Sequence, residues 1–171
     1  MAEKYNASNI AIEQILNFIK SGEIAIPEIQ RPFVWKPKQV RDLVDSLYTG
    51  YPTGYLIISQ SPNMKLKDGT LSEGKKIMID GQQRVTALMT AIMGLEVINS
   101  DFEKKRIKIS FNPLAIDEDE VFKVQDNAIL KDKKWITDIA DVFKSDFKRG
   151  SFVSQYCESN TEMDSDRLHD I

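Results

Sequence analysis

The residues best equipped for chemistry lie in one short run, Asp80-Gly81-Gln82-Gln83-Arg84: a carboxylate, a glycine, two carboxamides and a guanidinium. The apolar stretch Ile77-Met78-Ile79 precedes them and has the length of a buried strand. Val85, Leu88, Met89 and Ile92 follow at i, i+3, i+4 and i+7, which is one apolar helix face. The polar run therefore falls where a strand gives way to a helix. The first backbone N–H groups of a helix have no internal partners, and the helix dipole is positive there. Such a turn attracts anions, phosphates above all. An arginine in the first helical turn adds a fork of donors that matches phosphate oxygens.

Each residue of the run has a plainer reading beside the chemical one. Arg84 is either a phosphate ligand or an exposed helix arginine that pairs with Glu28, and the phosphate role is preferred. Gly81 lets the backbone approach a ligand or relieves a tight turn, and both can hold together. Asp80 has three readings: a helix cap, a Mg²⁺ ligand acting through water, or a group that orients or deprotonates a water. A carboxylate beside phosphates is repelled unless a cation intervenes, so a bound triphosphate favours the metal reading. Gln82 and Gln83 carry donor and acceptor on one amide. They can bond phosphate oxygens, position a water or read a base edge, and one of them can simply face solvent.

The elements that must position this run follow from periodicity. A first helix is expected from a cap at Ser8 or Asn9, with Ile12, Ile15, Leu16 and Ile19 buried and Gly22 ending it. Ile24-Ala25-Ile26 reads as a short strand that Pro27 limits. The stretch from Pro27 to Trp35 holds two prolines and no helical period, so it reads as extended and irregular. Pro37 suits the first turn of a second helix carrying Val40, Leu43, Val44 and Leu47. Gly50-Tyr51-Pro52-Thr53-Gly54 is a turn, and Tyr55-Leu56-Ile57-Ile58 a buried strand. Residues 60–75 are polar and read as a loop or irregular hairpin. Ile107, Ile109 and Phe111 alternate with polar residues as in a half-buried strand, which Asn112-Pro113 breaks and Val121-Phe122-Lys123-Val124 can pair. Thr137 is placed to cap a helix carrying Ile139, Val142 and Phe143. The pattern weakens after Gly150, and the stretch from Met163 to Ile171 reads as the lead-in to a helix, as in a piece of a longer protein. The division expected is residues 1–112 as one domain, with 113–171 as its extension or the start of a helical region.

Composition bounds the function. The chain has 171 residues, 42% of them hydrophobic, enough for one domain with a sizeable core. A net charge of −3 argues against a surface that coats nucleic acid throughout. It leaves room for local basic patches at Lys104, Lys105, Arg106 and Lys108, and at Lys131, Lys133 and Lys134, for which solvated lysines flanking strands are the plainer reading. Asp117-Glu118-Asp119-Glu120 reads as an acidic turn able to hold a divalent ion weakly. The single cysteine, Cys157, allows no internal disulfide and suits a cytoplasmic protein. The only histidine, His169, sits two residues from the end, so histidine-cluster metal sites and Ser-His or Cys-His catalysis are not expected. No apolar run is long enough to cross a membrane, and the N-terminus starts no signal peptide.

Three segments in order carry a family resemblance: Ile26-Pro27-Glu28-Ile29-Gln30-Arg31-Pro32-Phe33-Val34-Trp35, then Tyr51-Pro52-Thr53-Gly54, then Asp80-Gly81-Gln82-Gln83-Arg84. Together they resemble the N-terminal domain of GmrSD-type restriction proteins, of the ParB/sulfiredoxin-like superfamily, over about the first hundred residues. The resemblance implies an α/β (α+β) domain, a small mixed sheet flanked by helices, that binds a nucleoside triphosphate with Mg²⁺. The Asp-Gly-Gln-Gln-Arg motif is associated there with nucleotide binding and hydrolysis. Full-length members add a helical region and an HNH-type nuclease domain and act against phage or modified DNA. This chain has no His-Asn-His set, and where the sulfiredoxin branch has its cysteine nucleophile it has Gln82 and Gln83.

Combining residues and resemblance, Asp80 and Gln83 are the catalytic candidates and Asp80 the metal ligand. Gln30, Arg31, Trp35, Gly81, Gln82, Arg84 and Thr86 are candidates for holding the nucleotide. Arg31 would add positive charge to the cleft. Trp35 or Phe33 would stack on a base or pack the core, while Tyr55 and Thr86 are secondary. The competing expectation is a DNA-binding module whose anion site holds a backbone phosphate without nucleotide chemistry.

Overall fold

The computed structural model describes residues 5–26, 32–60, 75–115 and 120–171. In chain order its helices and strands are α1 (Ile12–Lys20), β1 (Ile24–Ala25), α2 (Pro37–Tyr48), β2 (Ile57–Gln60), β3 (Lys76–Asp80), α3 (Gln82–Ala91), β4 (Val97–Ile98), β5 (Lys104–Lys105), β6 (Ile109–Phe111), β7 (Phe122–Val124), α4 (Arg149–Ser159) and α5 (Ser165–Asp170). Short 3₁₀ turns lie at Pro113–Ala115, Ile129–Lys131 and Ile139–Phe143. Helices with small mixed sheets make this an α/β class fold. The chain divides into two units, Met1–Gln30 with Tyr55–Gln82, and Arg31–Gly54 with Gln83–Ile171.

The first unit is built on a three-stranded sheet in the order β1-β3-β2. β1 runs parallel to β3, pairing Ile24 with Lys76, and β2 runs antiparallel, pairing Ile58 with Met78. The expected stripe on α1 holds: Ile15 and Leu16 are buried, and Ile12 and Ile19 half-buried. The helix starts at Ile12 rather than after Ser8 or Asn9, and its N-cap, Ala11, offers no side-chain bond. Its beginning is thus set by where the apolar stripe begins. Gly22, at φ 77°, follows the helix end as expected, its N–H donating to Ile19 O. β2 is a correction. All four of its residues are exposed, and among the described residues it pairs with β3 alone. In β3, Ile77 and Met78 are wholly buried, whereas Ile79 is 45% exposed. Of the expected 60–75 loop, residues 61–74 lie outside the described residues.

The second unit packs α2 on the β6–β7 hairpin. Val40, Leu43 and Val44 are buried, and Tyr48 meets Phe111 and Phe122 edge-on at 5.8 and 5.3 Å between ring centroids. The expected pairing of 121–124 with the 107–111 strand holds, with Ser110 opposite Lys123. The expected alternation holds at Ile107, Lys108 and Ile109 and departs at Ser110, which is buried together with Ile109 and Phe111. Ser110 is tolerated because its hydroxyl donates to Thr137 O at 2.6 Å. On α3, Val85 and Leu88 are buried together with Ala87, Thr90 and Ala91. The hydroxyl of Thr90 accepts from the Ile107 N–H at 2.9 Å.

Two further expectations change in this unit. The 139–143 helix is a 3₁₀ turn, and Asp138 rather than Thr137 caps it, its carboxylate accepting from Ala140 N. Thr137 instead spends its carbonyl on Ser110 and Gln125. After Gly150 the chain is helical, although its apolar pattern is weak as expected. α4 and α5 bury Val153, Tyr156, Met163 and Leu168, with Leu114, Ile136, Phe152 and Cys157 packed against them. The apolar pairs 152–153 and 156–157 recur every four residues, a stripe too short to register in a polar segment. Of the acidic run, residues 116–119 lie outside the described residues, and Glu120 pairs with Lys123 at 2.5 Å. That ion pair holds the Glu120 carboxyl below its usual range.

Candidate functional site

β3 ends at Asp80, Gly81 turns the chain at φ 91°, and α3 begins at Gln82. The strand-to-helix change falls where the sequence placed it. The left-handed φ explains the glycine, since a Cβ there would crowd the following carbonyl. In the first unit Asp80 is exposed at the strand end. Gln82 turns its amide back on the strand, donating to Met78 O at 2.7 Å and more distantly to Ile79 O at 3.5 Å.

In the second unit the decisive side chain is Arg84. Its Nη1 donates to Thr53 O at 2.6 Å, so the Tyr51–Gly54 turn fixes where the guanidinium sits. Gly54 adopts φ 86°, and a Cβ built on it would lie 2.9 Å from that same Nη1. The turn thus needs glycine twice, for its backbone and for the closeness of the arginine. Two of the three recognised segments meet at this contact.

Arg84 lines a groove of about 390 Å³. Trp35 and Leu43 supply apolar wall, Gln39, Asp42 and Ser46 come from α2, and Pro52 and Thr53 from the turn. Trp35 is half-buried, so part of its indole is presented rather than sealed in the core. Its approach is held by Gln83, whose Oε1 accepts from the Val34 N–H at 3.1 Å and whose Nε2 donates to Pro32 O at 3.3 Å. Phe33, between them, is buried and bonds Ile98 O through its N–H at 3.0 Å. Of the two aromatic candidates, Phe33 packs and Trp35 lines the groove.

Gln30 and Arg31 lie outside the described residues. Thr86 is half-buried on α3 and does not line the groove. Tyr55, in the first unit, is 85% exposed. The polar face of α2 was missed from the sequence. Gln39, Asp42 and Ser46 stand at i, i+3 and i+7 opposite its apolar stripe, a spacing that does place them on one side of a helix. Gln39 is partly committed, since its Oε1 accepts from Lys36 N at 2.9 Å and closes the helix start. Among the described residues no three His, Cys, Asp or Glu gather to hold a metal ion. None of their helices is long and apolar enough to cross a membrane.

The profile of the GmrSD restriction endonuclease N-terminal domain matches residues 12–167. The chain belongs to this family. The match reaches far beyond the first hundred residues on which the resemblance rested, and it takes in both units and the start of α5. By its description the family is the N-terminal domain of a restriction endonuclease. An archaeal relative, "Uncharacterized protein MJ0686" of Methanocaldococcus jannaschii, is 28% identical over 47% of this chain. The chain covers only 17% of that protein's length.

Proposed function

We propose that this GmrSD N-terminal domain binds a nucleoside triphosphate and that binding regulates the nuclease of the restriction enzyme. The supporting observation is Arg84: a guanidinium fixed by a backbone carbonyl on the wall of a groove that also presents Trp35. A planar fork of donors recognises phosphate oxygens, and an indole face takes a base by stacking. The nucleotide would lay its phosphates on Arg84 and its base toward Trp35, with Asp42 and Ser46 offering partners for sugar hydroxyls. Mg²⁺ keeps most of its waters and needs only one or two carboxylates beside the phosphates. Within the groove the carboxylate of that kind is Asp42, while Asp80, which the family resemblance offers as the metal ligand, stands at the end of β3 in the first unit. When bound, the ion supplies charge that offsets the repulsion between carboxylate and phosphate.

The chain's own residues divide the work. Arg84 binds, Thr53 and Gly54 aim it, and Gln83 holds the 32–34 segment so that Trp35 keeps its place. Hydrolysis is the finer proposal, with Asp80 or Gln83 orienting the attacking water. Gln83 would have to release one of its two backbone partners to do so. The resemblance to ParB/sulfiredoxin-like proteins supports the nucleotide reading, and the cytoplasm is where a restriction nuclease meets its DNA. The nuclease domain it would gate is a further proposal, for the remainder of a longer protein.

Tryptophan fluorescence tests this reading. Titrating ATP, GTP and CTP with Mg²⁺ into the Trp135→Phe variant, which leaves Trp35 as the sole tryptophan, should give saturable quenching by at least one nucleotide. Unchanged Trp35 emission with all three would overturn the proposed pose.

A further inference from the structure

A second cleft, of about 220 Å³, opens elsewhere in the second unit. It is walled by Lys105, Arg106, Ile107 and Lys108, with Pro37 and Gln125 across from them. In a regular strand Lys105 and Lys108, three residues apart, would point to opposite faces. Here β5 ends at Lys105 and β6 begins at Ile109, and the irregular stretch between them lets both lysines line one cleft. Of the basic patch that the sequence offered as ordinary solvated lysines, Lys105, Arg106 and Lys108 are therefore gathered around a concavity.

The charge balance of this cleft is one-sided. Arg106 is neutralised from behind by Asp138, at 2.5 Å from Nη2, and Asp138 is only 5% exposed. That buried pair sets the floor. Lys105 and Lys108 make no ion pair among the described residues, and no acidic side chain lines the walls. Pro37 opens α2 between the exposed Lys36 and Lys38, and the first turn of α2 carries no acid. The chain as a whole is negative, so this local excess of cations is not a by-product of composition.

We propose that this cleft seats the phosphodiester backbone of duplex DNA, with Lys105 and Lys108 as its two principal phosphate contacts. Point charges on flexible stems suit backbone phosphates, which position a duplex without reading its sequence. Membership in a restriction enzyme family supplies the class of nucleic acid. The proposal stands independently of the nucleotide reading, because it uses none of the residues of the Arg84 groove.

The test is fluorescence anisotropy of the full chain with a labelled 20-base-pair duplex from 50 to 200 mM salt. It compares the wild type with Lys105→Glu/Lys108→Glu and with Lys131→Glu/Lys133→Glu, which makes the same charge change at the other basic patch. Each phosphate contact contributes about 0.9 to the log–log salt slope. The cleft variant should therefore lose about 1.8 from the slope and roughly tenfold or more in affinity at 50 mM. The charge-matched variant should keep the wild-type slope. Lys105→Gln/Lys108→Gln, checked by circular dichroism, serves if charge reversal disturbs folding. The proposal is overturned if the wild type does not bind the duplex, if both charge-matched variants lose slope equally, or if single-stranded RNA of equal length binds more tightly.

Discussion

Adding one methyl group at Gly54 tests whether the placement of Arg84 matters. Gly54 sits at φ 86° and Gly50 at φ 79°, so an alanine at either position enters the left-handed region at about 1–2 kcal/mol. What the methyl group meets differs. At Gly50 nothing lies within 4 Å, whereas at Gly54 the new carbon falls 2.9 Å from Arg84 Nη1. Gly50→Ala therefore isolates the backbone strain, and Gly54→Ala adds displacement of the guanidinium from Thr53 O. For a chain of this size each kcal/mol lowers Tm by about 2–4 °C. Gly50→Ala should then melt roughly 2–8 °C lower and bind nucleotide normally. Gly54→Ala should melt at least as low and lose a charge-assisted hydrogen bond to phosphate, about 1.5–3 kcal/mol, or roughly 10- to 150-fold in Kd. Differential scanning fluorimetry reads the first quantity and anisotropy of a fluorescent nucleotide the second. If Gly54→Ala binds nucleotide as tightly as Gly50→Ala, the turn does not aim Arg84 and the reasoning fails.

Two other perturbations follow from the contacts. Gln83→Ala removes both bonds to the 32–34 segment and should cost about 1–2 kcal/mol, with faster hydrogen exchange at the Val34 amide and weaker nucleotide binding. Unchanged Val34 exchange would show that Gln83 does not hold the segment. The Tyr156 hydroxyl donates to Lys134 O at 2.7 Å, and burial, then the Asp132 charge, raises the phenol well above its ordinary value. Below about pH 10 it is neutral in folded and unfolded chains alike, so its contribution is whole there. Above that the unfolded chain ionises first, and stability should fall by up to about 1.4 kcal/mol per pH unit. Urea midpoints measured from pH 9 to 11 should show a shallower decline in Tyr156→Phe, and parallel curves would contradict this.

The strand-to-helix change expected within residues 80–84 does fall there, because its signals were local: an apolar run, a glycine, then a clean i, i+3, i+4 stripe. Pro37 and the Val40, Leu43, Val44 stripe placed α2 for the same reason. Burial was harder to read. Ile57 and Ile58 look like core residues, yet both are exposed on β2, because an apolar run signals a strand without saying what covers its faces. Ser110 erred the other way, since its burial depends on Thr137 O, twenty-seven residues along. At the candidate site, Arg84 and Trp35 stood out by type and motif. Asp42 and Ser46 did not, because a polar helix face is usually just a wet one. The pairing of Arg84 with the Thr53–Gly54 turn spans thirty-one residues and could be found only in three dimensions.

The central claim is that Arg84 holds the phosphates of a nucleotide, and calorimetric titration of the purified chain measures it directly. With Mg²⁺ present, at least one of ATP, GTP and CTP should bind the wild type saturably. Arg84→Ala should weaken that nucleotide by about 10- to 150-fold while its circular dichroism spectrum stays that of the wild type. Equal affinity in the two proteins, or no heat from any of the three nucleotides with the wild type, would contradict the account.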